Sequence, residues 1–463
     1  MKSHSNKSED EINQLISDAL QHGWVHQMAW NAWSGPDGLK VFNRAEGCMI
    51  YDIKGREYID GLSGAWVANV GHGRREIVEA MAKQAEQIAY VSPFAFLNPP
   101  AIQLSKKLVE LAGEPLQRAF IGSGGAEVVD AGLAIARQYF FNLGKPKRYK
   151  AISRRGSYHG STFGGKSLSG LKHSALDERF GPLLPGMVQV APPNCYRCDF
   201  QLKYPDCGIM CAREIENAIK HEGPDSIAVV VGEPISVAGE TAIPVAEYWP
   251  MVRQICDKYG ILLMFDEVLI GMGRTGKWFA CQHFGVKPDL LTTAKGIASG
   301  YAPIAALLVS GKVSDVFMGD AAVTFSHGLT YGNHAVACAA GNANISILEG
   351  ENLVERSAVM GKYMLEKLQS LYSHPIVGDI RGLGLLGVID IARDKETRSR
   401  FSPKDNLGGR LHNYLMDEGV ILRVWDVIMI APPFIVSHDE IDRIVHAIDK
   451  ALTRFEKEMG IIQ

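Results

Sequence analysis

The segment Ile261-Leu-Leu-Met-Phe-Asp266-Glu267-Val268 carries the pattern from which the fold class of this chain follows. Its apolar run predicts a strand that is buried on both faces. The carboxylates at its end must be paired, because a buried charge without a partner is costly. Taken alone, Asp266 fits a helix cap or an ion pair as well as a functional role.

Short apolar runs of the same kind alternate with helical stretches such as 76–89 and 126–141 from about residue 76 onwards. These runs are 118–121, 149–152, 227–231 and 304–309. The alternation predicts an α/β fold in which helices cover both faces of a mostly parallel sheet. This central α/β domain is expected to end near residue 340, after which the pattern is mixed.

The N-terminal region carries a different pattern. An apolar stripe predicts an amphipathic helix over 9–22, and the segments 48–53 and 57–60 predict a hairpin around Gly55. The opening Met1–Ser5 leads into acidic residues without an apolar core, so we expect no signal peptide.

Composition excludes several classes of protein. The chain has 463 residues, of which 46% are hydrophobic and 21% charged, as in globular proteins. A net charge of −3 gives no reason to expect nucleic acid or an anionic membrane as a partner. No apolar run approaches the roughly 20 residues of a membrane span. Eight cysteines in a chain of this length do not indicate a secreted disulfide framework, so we expect a cytoplasmic protein.

Three glycine-rich motifs compete for the role of phosphate site. Gly160–Ser167 fits the P-loop pattern, and Asp266 would be the acidic Mg²⁺ partner of an ATPase. Against this reading, Gly170 interrupts the helix that a P-loop needs, and 154–159 separates the motif from its strand.

The second motif, Gly271-Met-Gly273-Arg-Thr-Gly276, lacks the carboxylate about 20 residues later that binds a ribose in dinucleotide sites. The third, Gly122-Ser-Gly-Gly125-Ala126-Glu127, follows a strand and opens directly into a helix. Its small residues and the helix N-terminus favour an anion, although a tight turn without a ligand has the same pattern.

A lysine complements this phosphate site. Lys295 follows the apolar run 289–294 and lies 29 residues after Asp266, which is enough for one strand–helix–strand excursion. A solvated surface lysine is the ordinary alternative. A lysine, a carboxylate and a phosphate site at one sheet edge are what a pyridoxal phosphate enzyme needs.

At this point the chain resembles the class III (omega) aminotransferases of the fold-type I pyridoxal phosphate group, from about Gly38 to Leu452. The stretches that carry the resemblance are 51–61, Gly124-Gly-Ala-Glu127, Tyr158-His-Gly160, Gly232-Glu-Pro234, Phe265-Asp-Glu-Val268, Ala294-Lys-Gly296, His327-Gly-Leu-Thr-Tyr331 and Ala431-Pro-Pro433. The resemblance implies a large cofactor-binding α/β domain over 76–340. It also implies a smaller α+β domain made of 1–75 and 341–463.

The resemblance also implies roles for individual residues. Lys295 is the expected Schiff-base lysine and proton shuttle, and Asp266 the partner of the pyridinium nitrogen. The other expected cofactor contacts are Gly125 and Ala126 on the phosphate, Tyr158 and Val268 on the ring faces, Glu233 near the ring hydroxyl, and Thr330 on the phosphate of a neighbouring subunit. A homodimer with shared active sites follows from the last contact.

The expected reaction moves an amino group from a primary amine or an ω-amino acid to a keto acid such as pyruvate. Trp66 matches a pocket wall and Arg423 matches an arginine that grips the acceptor carboxylate. A core tryptophan and a surface ion pair are the simpler readings of these two residues. An aminomutase or decarboxylase of the same fold is the alternative reaction, and the P-loop ATPase is the alternative from another class.

A group of cysteines has no place in this scheme. Cys195 and Cys198 are followed by Cys207 and Cys211, a spacing that is compatible with structural Zn²⁺. The connecting segment is short and the scheme needs no metal, so we expect reduced thiols and no metal site.

Overall fold

The computed structural model describes residues 8–27, 29–30, 38–171, 178–238 and 241–463. The segment Met1–Ser5 lies outside these residues. Within the described ranges, no helix is both long enough and apolar enough to cross a membrane. All eight cysteines are free thiols.

The strands within the described ranges form three sheets. In chain order they are β1 (Phe42–Glu46), β2 (Met49–Asp52), β3 (Glu57–Asp60), β4 (Leu116–Gly122), β5 (Lys150–Arg154), β6 (Met187–Val190), β7 (Ile227–Gly232), β8 (Leu262–Asp266), β9 (Leu290–Thr293), β10 (Ala305–Ser310), β11 (Val377–Gly382), β12 (Gly387–Ile391), β13 (Val420–Ile421), β14 (Arg423–Val424) and β15 (Val427–Ile430). The helices of six or more residues in the described ranges are Glu9–His22, Arg75–Gln87, Pro99–Ala112, Gly125–Asn142, Phe163–Leu168, Met210–Glu222, Tyr248–Tyr259, Ala335–Gly350, Leu353–Leu368, Leu407–Asp417 and His438–Glu458.

The central sheet has seven strands in the order β4-β10-β9-β8-β7-β5-β6. Strands β6, β5, β7, β8 and β9 pair in parallel, whereas β10 runs antiparallel to both β9 and β4. Every residue of β7, β8, β9 and β10 is buried, as expected for strands covered on both faces. The predicted mostly parallel sheet is therefore confirmed, with β10 reversed.

Helices pack on both faces of this sheet. On one face lies the Gly125–Asn142 helix, in which Gly132 is so close to β8 that an added Cβ would lie 2.6 Å from Cε of Met264. On the other face, the Trp249 ring packs edge-on against Phe265 at a centroid distance of 4.6 Å. The sheet thus separates two apolar cores, and its four central strands are buried on both faces.

Two smaller sheets come from the ends of the chain. One has the order β1-β2-β3-β13, and its last pair is parallel, with Val420 opposite Ile59. The other has the order β11-β12-β15-β14. The expected helix over 9–22 and the hairpin around Gly55 are present, and β1 and β6 are strands that the sequence reading did not include. The domain boundaries at residues 75 and 340 stay predictions.

Candidate active site

The carboxyl ends of two neighbouring parallel strands bring the expected carboxylate and lysine to one edge of the sheet. Asp266 is the last residue of β8 and lies opposite Thr292 of β9. Lys295 follows the end of β9 by two residues and has a positive φ of 38°. Such a backbone conformation costs energy for a residue other than glycine and is often found at functional sites. Ligands of doubly wound sheets bind at this kind of edge.

Asp266 is held by three hydrogen bonds inside the protein. Its Oδ2 lies 2.7 Å from Nδ1 of His159, and its Oδ1 accepts bonds from Oγ1 of Thr292 at 3.2 Å and from the amide of Val268 at 3.1 Å. The side chain is 5% exposed. A buried carboxylate with these contacts has a fixed position from which to bind a cationic group.

Lys295 lies in a setting that favours its neutral form. Burial lowers the pKa of Lys295 from 10.5 to about 8, while the negative charge of Asp266 opposes this shift and the positive charge of Arg423 adds to it. Nζ lies 5.9 Å from the centre of the Trp66 ring. A buried amine with a pKa near neutrality can act as a nucleophile and as a base.

The N-terminus of the Gly125–Asn142 helix lies at the same edge. The Glu127 carboxylate accepts hydrogen bonds from the amides of Ser123 and Gly124 at 3.0 and 3.1 Å. Gly125 and Ala126 line a cavity at this edge of the sheet. The first amides of a helix have no partner within the helix, so this end is suited to an anion such as phosphate.

The loop and strand ends around this helix approach each other closely. A Cβ on Gly125 would lie 2.8 Å from Cγ1 of Val268, and one on Gly160 would lie 2.6 Å from Cβ of Ala126. Gly160 also has a φ of +125°, which side chains rarely adopt. Glycine is therefore needed at both positions for this close approach.

The residues at this edge of the sheet line a cavity of about 260 Å³. Its lining includes Lys295, Asp266, Glu233, Tyr158 and Val268. Burial raises the pKa of Glu233, and Oε1 of this side chain has no hydrogen-bond partner among the described residues. The other oxygen, Oε2, accepts a bond from Ser236 at 2.8 Å. An unpartnered buried oxygen that belongs to a cavity-lining side chain points to a polar ligand group.

The donor set fits pyridoxal phosphate. An amine for the aldehyde, a carboxylate for the ring nitrogen, helix amides for the phosphate and flat or branched side chains for the ring are all present in one cavity. The residues expected at one cofactor therefore lie together, with the exception of Thr330.

Thr330 does not line this cavity in the single chain. Its side chain is exposed, and its carbonyl accepts a hydrogen bond from the Tyr90 hydroxyl at 2.9 Å. Exposed aromatic side chains lie near this position: Tyr90 and Tyr331 contact each other beside it, and Phe94 packs against Gly328. The expected contact of Thr330 with the phosphate of another subunit stays a prediction.

Trp66 and Arg423 lie next to each other and near Lys295, but they are not among the residues that line the cavity. Cζ of Arg423 lies 5.5 Å from the centre of the Trp66 ring, and Trp66 is 6% exposed. Trp66 also packs with Ile235 and Ile270, two cavity-lining residues. Burial lowers the pKa of Arg423, and no carboxylate lies within 4 Å of its guanidinium in the described part of the chain. The described residues therefore give Arg423 no partner for the surface ion pair that is the simpler interpretation, and its substrate role stays a prediction.

The competing motifs have structural roles. Lys166 of the P-loop-like segment packs over the Phe180 ring at 3.9 Å, in a helix of only six residues that Thr162 caps. This geometry does not favour a nucleotide loop.

Across the described ranges, no group of three or more His, Cys, Asp or Glu side chains is arranged to hold a metal ion, and this includes the four clustered cysteines.

Some site residues were not singled out from the sequence. His159 binds Asp266, Thr292 binds the same carboxylate, and Ser236 and Arg154 contact Glu233. His159 is the neighbour of Tyr158, so the motif marked its position but not its partner. Thr292 and Arg154 lie 26 and 79 residues from the carboxylates that they contact, whereas Ser236 is only three residues after Glu233. No motif in the sequence marked these contacts.

Comparisons with known proteins agree with this geometry. The family described as aminotransferase class-III matches residues 34–452. A putrescine–pyruvate aminotransferase of Pseudomonas aeruginosa is 35% identical, over 90% of this chain and 91% of that protein.

Solved structures agree as well. The crystal structure of an (S)-enantioselective omega-transaminase from Thermomicrobium roseum has a TM-score of 0.92 and 37% identity, covering 96% of this chain and 98% of that one. An amine transaminase from an uncultivated Pseudomonas species, solved with pyridoxal phosphate bound, has a TM-score of 0.89 and 35% identity, covering 93% and 98%. The similarity therefore extends over nearly the whole of each protein.

Proposed function

Because this chain belongs to the class III aminotransferases, we propose that it moves an amino group from a primary amine or an ω-amino acid to a keto acid, with pyruvate as the acceptor. The family is pyridoxal phosphate-dependent and has the fold-type I architecture. The observation that carries the proposal is the cavity shared by Lys295, Asp266 and the N-terminus of the Gly125–Asn142 helix.

We assign the binding of the cofactor to the residues that line this cavity. The amides of Gly125 and Ala126 bind the phosphate, Asp266 holds a proton on the ring nitrogen, and Glu233 contacts the hydroxyl side of the ring. Tyr158 and Val268 contact its two faces. When bound, pyridoxal phosphate supplies an aldehyde that takes up the amine nitrogen and a ring that withdraws electrons from the adjacent carbon.

Lys295 has two tasks in this proposal. Between turnovers its Nζ holds the cofactor by its aldehyde carbon. During turnover its neutral amine accepts the proton from the substrate Cα and delivers a proton to the cofactor carbon. The low pKa of about 8, caused by burial, supports this assignment because it increases the neutral fraction of the Lys295 amine near pH 8.

Trp66 and Arg423 are proposed to select the two substrates. The Trp66 ring forms an apolar wall for an amine, and the Arg423 guanidinium binds the acceptor carboxylate with its paired N–H donors. The short distance between Arg423 and Trp66 supports one pocket that serves both substrates in turn.

We also propose a homodimer in the cytoplasm. The exposed aromatic side chains around Thr330 need cover, and a second copy that provides it would bring Thr330 to the phosphate of the neighbouring site. The eight free thiols suit a reducing compartment. Light scattering after size-exclusion chromatography tests the dimer, and a monomer with full activity would contradict it.

The test of the reaction is a profile of amine donors, including putrescine and 1-phenylethylamine, with pyruvate or 2-oxoglutarate as acceptor. We expect alanine to form from pyruvate with a higher kcat/KM than glutamate forms from 2-oxoglutarate. Preference for 2-oxoglutarate would contradict the assigned acceptor. Release of carbon dioxide without amino transfer would instead indicate the decarboxylase alternative.

A further inference from the structure

Arg274 is a fully buried guanidinium at a junction of three chain segments, and the cavity described above does not include it. Its Nη1 donates to the carbonyls of Leu385 at 3.0 Å and Pro432 at 2.6 Å. Its Nη2 donates to Oδ1 of Asn69 at 2.7 Å and to Oγ of Ser63 at 3.1 Å. Within the described ranges no carboxylate lies within 4 Å of it, and the acceptors of its hydrogen bonds are all neutral oxygens.

The contact with Ser63 falls on the turn that carries Trp66. Ser63, Gly64 and Trp66 have φ angles of 50°, 67° and 60°, which cost energy in the two residues that are not glycine. The Ser63 hydroxyl also donates to the carbonyl of Ala431 at 2.7 Å. From the other side, the Asp60 carboxylate accepts the amide of Gly64 at 2.8 Å. A strained turn persists only when its surroundings fix it, and Arg274 provides one of these contacts.

Asn69 extends the same contact network towards Lys295. Its Oδ1 accepts from Arg274, and its Nδ2 donates to the carbonyl of Met272 at 3.1 Å. A Cβ added to Gly296 would lie 2.4 Å from this Nδ2, so the Asn69 amide packs directly on the backbone next to Lys295. Arg274 therefore contacts residues on both sides of Trp66 in sequence, and one of them borders the lysine.

The glycine-rich motif 271–276 explains how Arg274 reaches this junction. Gly273 has a φ of +98° and lies so close to Phe434 that a Cβ would be 2.9 Å from its ring, and Gly276 packs in the same way on Ala358. Cζ of Arg274 lies 4.6 Å from the centre of the Phe434 ring. The glycines thus permit close packing of this loop on the C-terminal segments.

We propose that Arg274 is a positioning residue that holds the Ser63–Trp66 turn, and thereby keeps the Trp66 indole beside Lys295 and Arg423. The consequence for substrate choice rests on the proposed role of Trp66 as a pocket wall. The position of the indole does not rest on that role and can be measured by itself.

The first test uses fluorine NMR of the holoenzyme labelled with 5-fluorotryptophan. The resonance of residue 66 is identified by its absence in Trp66→Phe. Arg274→Lys keeps the charge but loses the paired donors, and we expect it to shift or split the Trp66 resonance while those of the other tryptophans stay unchanged.

The matched control is Arg148→Lys. Arg148 is another buried arginine that donates to backbone carbonyls, those of Tyr259 and Gly260, away from this turn. It is expected to leave the Trp66 resonance unchanged. Ser63→Ala removes the acceptor of Arg274 on the turn together with the hydrogen bond to the carbonyl of Ala431, and it tests the contact if Arg274→Lys does not fold. A Trp66 resonance that stays at its original position in Ser63→Ala, and in Arg274→Lys where it folds, would overturn the proposal.

The second test is kinetic and uses 1-phenylethylamine with pyruvate. We expect Arg274→Lys to raise KM for the amine by about tenfold with kcat changed less than about twofold, because substrate contact with the wall is weakened. In a Trp66→Ala background the same substitution should change KM less than about twofold, because the indole through which Arg274 acts is absent. The effects of substitutions at interacting residues are not additive. Equal effects in both backgrounds would overturn a role through Trp66. Absence of amine turnover in the parent enzyme would contradict the proposed function, while the NMR comparison would still decide the role of Arg274.

Discussion

Nδ1 of His159 lies 2.7 Å from Oδ2 of Asp266, and both side chains are buried. Because a carboxylate only accepts hydrogen bonds, Nδ1 carries the proton and donates it. Nε2 of His159 has no hydrogen-bond partner within the residues that the structure describes. The histidine, which also lines the cavity, thus orients the carboxylate that we assign to the ring nitrogen.

His159→Leu is therefore expected to lower kcat by about 10- to 100-fold, since a hydrogen bond to a charged group contributes about 1.5–3 kcal/mol. His159→Asn places an amide donor near the same position and should retain more of the activity. Steady-state kinetics with saturating cofactor measure both effects. Equal activity of His159→Leu and the parent enzyme would contradict the positioning role.

Lys295→Ala should abolish covalent attachment of the cofactor and reduce turnover by several orders of magnitude. In the parent enzyme, borohydride reduction followed by peptide mapping should locate pyridoxal phosphate on residue 295. Lys166→Ala is the matched control and should keep both properties, because Lys166 packs over Phe180. ATP hydrolysis that disappears in Lys166→Ala would support the P-loop reading instead.

Arg423→Ala should separate the two half-reactions. Loss of one partner of a buried charge pair costs about 2–5 kcal/mol, so KM for pyruvate should rise strongly. The half-reaction with an amine that carries no carboxylate should change little, because that substrate offers nothing for Arg423 to bind. Arg423→Lys keeps a charge without the paired donors, so its KM for pyruvate should lie between those of the parent enzyme and Arg423→Ala. Single-turnover absorbance measures each half-reaction, and an equal loss in both would show that Arg423 is structural.

Incorporation of pyridoxal phosphate into the apoprotein should depend on pH through Lys295. Burial lowers the pKa of Lys295 to about 8, so the neutral, nucleophilic fraction increases as pH rises and becomes constant above that value. The rate constant of incorporation should rise about tenfold per pH unit below pH 8 and then level off. Stopped-flow absorbance measures it, with free butylamine as the reference reaction. A rate that continues to rise to pH 10 would contradict the lowered pKa.

Much of the fold was determined by the sequence itself. The apolar runs at 227–231 and 261–265 became buried strands because burial on both faces of a parallel sheet requires continuous apolar residues. Lys295 and Asp266 were found for the same reason, since each follows a strand whose end lies at a defined edge of the sheet.

Tertiary structure alone decided which distant residues touch. The pairing of β10 with β4, the bond between His159 and Asp266, the contact of Trp66 with Arg423 and the junction at Arg274 all join segments that are far apart in sequence. Local patterns report the period and burial of one element, whereas such contacts depend on crossovers and on close approach at glycines. That is why the 271–276 motif was readable as a glycine-rich loop, while the buried guanidinium that it positions was not.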